Sequence, residues 1–354
     1  MSSRRRDDSW PRSALSDVAS GFTQTRLWRE ARGIPPALER TLAEARGFED
    51  VAALIAAEDV RRVIVAGNGA ALYVAHALWL ASLEGETGFE VVAVPAGVLA
   101  SSRFAWREGD RLVVVSSSGE LRDAVAALEA DAPRPYAAVT ASERSRIGAD
   151  AGAAALVHVE EQETETHTQA YCGNLAAVFA IWARVTGDAE LAESLATAPS
   201  VLSRLLDEAE AWAAGTADDI GAPSAAVAFG SGPAWAAALE AALLLKEVAG
   251  VPAEGLETRE GATSGMYALG PGHLALSLPT GEDAALAEAE ETCRRTSATV
   301  LRLPGGDALD ARLAGLATFP GALALATELG LRAGLDVDHP AWADAYYDAT
   351  RVTE

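Results

Sequence analysis

Ala234-Trp235-Ala236-Ala237-Ala238-Leu239-Glu240-Ala241-Ala242-Leu243-Leu244-Leu245-Lys246-Glu247 is entered through Gly230-Ser231-Gly232-Pro233 and stopped by Gly250. An apolar strand, residues 225–229, runs into the glycine turn, and a helix over 234–249 follows. Ser231 suits the N-cap and Pro233 the first turn, where a missing N–H is harmless. Seven residues separate Glu240 from Glu247, so two turns stack both carboxyls on one helix face. Residues 253–267 carry Glu254, Glu257, Arg259 and Glu260 among three glycines and read as a charged surface loop. A carboxyl near a helix end facing such a loop can serve as a general base. A solvated helix face accounts for the same residues.

The same strand–glycine–helix pattern occurs upstream. Val63-Ile64-Val65-Ala66 ends in Gly67-Asn68-Gly69, and Leu112-Val113-Val114-Val115 ends in Ser116-Ser117-Ser118-Gly119-Glu120. The first turn matches Gly230-Ser231-Gly232 at an offset of 163 residues, and the second matches 278–282 at 162. Two matches at nearly one offset point to a duplicated unit. Strands that are almost continuously apolar and alternate with helices imply parallel sheets covered on both faces, a Rossmann-like doubly wound α/β fold. The expected divisions are a mobile tail at 1–20, a helical segment at 21–45 and a first domain at 46–190. A linking helix at 191–214, a second domain at 215–334 and a docking tail at 335–354 complete the chain. Trp342, Tyr346 and Tyr347 give that last tail something to dock with.

The chain has 354 residues, half of them apolar, and a net charge of −23. That charge argues against nucleic acid or an anionic membrane as partner. No run reads as long and apolar enough to cross a bilayer, and no signal peptide is visible. Cys172 and Cys293 are too few for a disulfide framework, which with the missing signal suggests the cytoplasm. His76, His158, His167, His273 and His339 have no partner at ligand spacing, so no metal is expected. The turn at 67–69 lacks a third glycine, and Val94-Pro95 offers no acid for a ribose, so no dinucleotide cofactor is expected either.

Ser116-Ser117-Ser118-Gly119 lies between a strand and a helix start, at the carboxyl edge of a parallel sheet. Free backbone N–H groups, the helix dipole and three hydroxyls together can hold a phosphate without net positive charge. Serines that merely cap a helix are the plainer alternative.

These motifs resemble the sugar isomerase (SIS) superfamily, in particular the two-copy isomerase region of glucosamine-6-phosphate synthase. Ser116 to Glu120 is similar to the family's Ser-Gln-Ser-Gly-Glu phosphate loop, and 162–171 to its sugar-contacting segment. Residues 238–247 resemble its Ala-Leu-Glu-Gly-Ala-Leu-Lys-Leu-Lys-Glu helix, and 336–340 and 352–354 bracket the tail as in the family. The resemblance implies two tandem SIS-like domains and a small sugar or sugar phosphate as ligand. It also implies a homodimer, because the family completes its site from a neighbouring subunit. Glu247 is implied as the base; ring opening needs a further acid, which His339 or His167 would supply here unless the substrate is acyclic. Asn68, Gly69, Ser116, Ser117, Ser118, Gly119, His167, Thr168 and Ser264 are implied to contact substrate.

The departures lie within the same motifs. The family's serine after the first turn falls on Ala71, the threonine closing its phosphate loop on Leu121, and one helix lysine on Leu244. Its Lys-His-Gly-Pro segment falls on Ala262-Thr263-Ser264-Gly265, and no lysine follows Lys246. Nothing in the 354 residues resembles the glutaminase half, so glutamine-dependent synthesis is not expected. Two readings follow. One is an isomerase-like enzyme with a departed site, moving a proton between C1 and C2 through a cis-enediol or releasing an amine from a ketosamine. The other is a catalytically silent sugar-binding protein; a third variant is an isomerase-like enzyme recruited to a non-phosphorylated substrate.

Overall fold

The computed structural model describes residues 21–85, 87–101, 104–129, 135–160, 162–281 and 283–350. The expected mobile tail at 1–20 lies outside them. The apolar runs become strands, and every pair is parallel. β1 (Arg62–Gly67), β2 (Glu90–Pro95), β3 (Asp110–Val115), β4 (Ala137–Thr140) and β5 (Ala153–Leu156) form one sheet in the order β2-β1-β3-β4-β5. β6 (Ala225–Gly230), β7 (Ala253–Glu257), β8 (His273–Ser277) and β9 (Thr299–Arg302) form a second in the order β7-β6-β8-β9. Helices cover both sheets, so the fold is α/β, as expected. In both, the first strand sits between the second and third, leaving a glycine turn at its carboxyl end. Gly69 (φ 54°, ψ −132°) and Gly232 (φ 52°, ψ −135°) share one conformation open only to glycine.

The helices on the first unit are α1 (Arg26–Arg32), α2 (Ile34–Glu44), α3 (Phe48–Ile55), α4 (Ala70–Ser82), α5 (Ala96–Ala100), α6 (Arg122–Glu129), α7 (Arg146–Ala149) and α8 (Thr168–Thr186). The chain continues through α9 (Ala189–Ile220), α10 (Pro233–Glu247), α11 (Thr258–Thr263), α12 (Ala284–Arg295), α13 (Ala314–Arg332) and α14 (Ala343–Thr350). α4 packs on α10, α10 on α13 and α13 on α9, and a shared apolar core runs through them.

Several expectations need correction. Residues 253–267 are not a loop: β7 and α11 occupy them. β7 is an edge strand whose backbone pairs with β6, and a ladder of main-chain bonds accepts charged side chains on an open edge. Ser231 does not cap α10; Gly232 precedes the helix, and the Ser231 hydroxyl donates to the Asp283 carboxylate and is hydrogen-bonded to the Thr258 hydroxyl instead. The linking helix extends beyond 191–214 to 32 residues. With the turn before it, α13 makes a 22-residue helix, Ala311–Arg332, of mean hydropathy 1.3, long and apolar enough by composition to cross a membrane. Its apolar stretch is wholly buried within the protein. The tail carries helix α14. It is also fastened: the Asp338 carboxyl accepts from the backbone N–H groups of Arg26 (3.0 Å) and Leu27 (2.8 Å) at the start of α1.

Candidate functional site

A cavity of about 690 Å³ opens where the turn after β1, the loop after β3, the start of α8, one face of α10 and α14 meet. Asn68, Gly69, Ser116, Ser117, Ser118, His167, Thr168 and Glu247 line it, so eight of the residues singled out in the sequence converge. Gly119, Ser264 and His339 are not in its wall. Ser264 lies just after α11, exposed, with its hydroxyl on the Glu260 carbonyl (3.2 Å). His339 is exposed on the tail, its backbone N–H held by Asp336 (3.0 Å).

The serine loop is built by its own hydroxyls. Ser116 Oγ accepts the Gly119 N–H (3.1 Å), and Ser118 Oγ accepts that of Glu120 (3.3 Å). Gly119 adopts φ 65°, and a Cβ there would lie 2.1 Å from Ser145 Oγ, so glycine is required twice over. Arg146, at the start of α7, joins the wall beside the serines. Its backbone N–H is taken by Glu120 (2.9 Å), while its guanidinium has no ion pair among the described residues. Asn68 is committed elsewhere: its amide donates to Asp123 (3.1 Å) and accepts from the Ala96 N–H (3.1 Å), tying the β1 turn to α5 and α6.

The two carboxyls of α10 line the same cavity. Glu247 is partly exposed at the cavity wall, and loss of hydration raises its pKa to about 7 against a small lowering by Lys246. That value suits a group that takes and returns a proton near neutrality. Glu240 is 5% exposed, and burial, then the Glu247 charge, push its pKa well above the carboxylate range. The solvated helix face is thus excluded. Trp342 of the tail joins this wall, its indole Nε1–H donating to the Glu247 carbonyl (3.0 Å) and its ring meeting Tyr346 edge-on.

Four buried side-chain atoms here have no hydrogen-bond partner: Thr166 Oγ1, Thr168 Oγ1, Asn174 Oδ1 and Glu240 Oε2. All belong to the cavity wall. Buried polar groups left unpaired are rare in native proteins and here face a space that a polyhydric ligand can fill. The segment carrying the threonines is held from behind. Glu30 of α1 accepts from the backbone N–H groups of Glu163 (2.8 Å) and Thr164 (3.1 Å) and from the Thr164 hydroxyl. Gln169 bridges the Glu160 N–H (2.8 Å) and the Glu30 carbonyl (2.9 Å).

Sequence reading missed Asn174, Arg146 and Trp342 as wall residues, and it left Glu240 on a helix face without a role. Asn174 alone carried a signal, a single amide within the apolar stretch of α8. Among the described residues no group of three His, Cys, Asp or Glu side chains could hold a metal ion.

No family model and no curated protein matches the chain. Solved structures do. Tagatose-6-phosphate ketose/aldose isomerase from Escherichia coli superposes with a TM-score of 0.74 at 17% identity, covering 91% of this chain and 98% of that one. The fold is that of the phosphosugar isomerases. Glucosamine-6-phosphate deaminase from Thermotoga maritima shares it at 0.71 and 19% identity, over 90% and 98% of the two chains. So does the C-terminal domain of glucosamine-fructose-6-phosphate aminotransferase from Francisella tularensis, at 0.71 and 16%, over 88% and 97%.

Proposed function

We propose that the chain is a two-copy SIS-type enzyme acting on a sugar phosphate or amino-sugar derivative. Glu247 shuttles a proton between C1 and C2 through a cis-enediol, or assists release of an amine from a ketosamine. Ser116, Ser117 and Ser118, with Arg146, hold the phosphate end, and Thr168 and His167 contact the sugar. The observation that carries this reading is that Glu247, poised near pH 7, and the serine loop open into one cavity whose buried polar atoms lack partners. The solved structures of the same fold include sugar-phosphate isomerases and a deaminase, which supports the substrate class. The shared conformation of Gly69 and Gly232 supports tandem domains at 46–190 and 215–334. Ser264 and the 85%-exposed Tyr267 lie away from the cavity, where a partner subunit in a homodimer would reach them. No cofactor is invoked.

A second reading, a silent sugar-binding protein, draws support from His339 and Ser264 lying off the cavity. A thermal-shift screen of sugars, amino sugars and their phosphates identifies the ligand, and solvent-deuterium incorporation into it decides between the two. Exchange by the parent that disappears in Glu247→Gln supports the enzyme. Stabilising ligands without exchange leave the binding protein.

A further inference from the structure

Two carboxyls stand on one face of α10, and only Glu247 has been given work. Glu240 lines the same cavity, is 5% exposed and leaves Oε2 without a donor. The groups facing it are Glu247 on its own helix, Tyr73 from α4, and Tyr171 and Cys172 from α8. None of them is a cation. α13 brings Phe319 to this wall, and the α10 positions between the two carboxyls include Leu243, Leu244 and Leu245. Arg312, from the turn that packs near the start of α10, is held by Asp188 and Asp310. Lys246 is exposed.

An ionised carboxylate buried without a counter-charge is far more costly than a neutral acid, so the proton stays on. A neutral carboxyl has one O–H to donate. We propose that Glu240 is a resident carboxylic acid at neutral pH and gives its proton to a substrate oxygen, as the acid partner of Glu247. This rests on the enzyme reading above. For a ring-closed aldose, Glu240 protonates the ring oxygen as the bond between C1 and that oxygen breaks. The C1 hydroxyl gives its proton to the Glu247 carboxylate as C1–O becomes a carbonyl. One proton leaves Glu240 and one arrives on Glu247. Its return through solvent restores both groups before Glu247 takes the proton from C2.

The test has two arms. In the first, infrared difference spectra of the parent and Glu240→Gln at pH 8 are compared for the C=O stretch of an un-ionised carboxylic acid. The band is expected in the parent and in Glu247→Gln and absent from Glu240→Gln. A parent without it has an ionised Glu240, which overturns the proposal whatever the activity. Should Glu240→Gln not fold, the parent and Glu247→Gln spectra still decide this arm. In the second, solvent-deuterium exchange at C2 is followed by NMR with glucose 6-phosphate, which closes a ring, and erythrose 4-phosphate, whose phosphorylated O4 cannot. Glu240→Gln is expected to slow exchange of the first by about 10²–10⁴-fold and to spare the second. Equal effects on both sugars, or none on either, overturn the donor role. A parent that exchanges neither sugar overturns the enzyme reading and the donor role with it, while the infrared band separately reports whether Glu240 is neutral.

Discussion

The indole N–H of Trp342 donates to the backbone carbonyl of Glu247, 95 residues away in sequence, at 3.0 Å. The tail is thereby fastened to the last turn of the helix that carries the candidate base. Trp342→Phe keeps an aromatic ring, smaller than the indole, and removes the donor. It is expected to lower stability by about 0.5–1.5 kcal/mol in urea unfolding and to weaken the stabilisation given by the best sugar ligand.

Glu247 makes stability depend on pH. Its folded pKa, about 7, stands above the ordinary 4.5, so the folded protein holds a proton that the unfolded chain releases over that window. Stability from this group is full below pH 4.5 and is lost as pH rises through 7. The loss amounts to about 3 kcal/mol, and Glu240 adds in the same direction. Denaturant titrations from pH 5 to 8 should show the decline, and Glu247→Gln should reduce it, leaving the part that Glu240 contributes.

The same value sets the acid limb of activity. A base must be unprotonated to act, so kcat/KM for solvent exchange is expected to fall below an apparent pKa near 7. A profile flat from pH 5 to 8 would remove Glu247 from the base role.

Thr168 offers a test in the opposite sense. Its hydroxyl is buried without a partner, so Thr168→Val should stabilise the ligand-free protein by about 1 kcal/mol. Ligand binding should weaken by a similar amount. Thermal shifts with and without ligand separate the two effects.

Ser116→Ala combined with Ser118→Ala should reduce binding of a phosphorylated ligand by about 1–3 kcal/mol. Because Ser116 Oγ also holds the Gly119 N–H, part of the effect should appear as lost stability without ligand. An unphosphorylated analogue of the same sugar should lose less affinity, which calorimetry on both ligands can show.

The strands were legible because Val63 to Ala66 and Leu112 to Val115 are apolar without a break, as a sheet buried on both faces requires. The serine loop and Glu247 were legible because turn chemistry and helix spacing are local. β7 was not, since an edge strand needs only its backbone to pair, and Glu254 and Glu257 disguised it. The state of Glu240 was hidden for a different reason. Its seven-residue spacing from Glu247 was plain, but its burial is made by α4, α8 and α13, which come from distant parts of the chain.

α1 joins the two ends of the site: Glu30 holds the threonine segment, and Asp338 caps the helix on which Glu30 rides. That cap spans 312 residues of sequence, so it forms only after the chain through Asp338 has emerged from the ribosome. Each unit's sheet can assemble from its own strands during synthesis, but the far wall of the cavity cannot. Completion of the binding site is therefore a late step in folding, and ligand capacity should appear after the secondary structure has already formed.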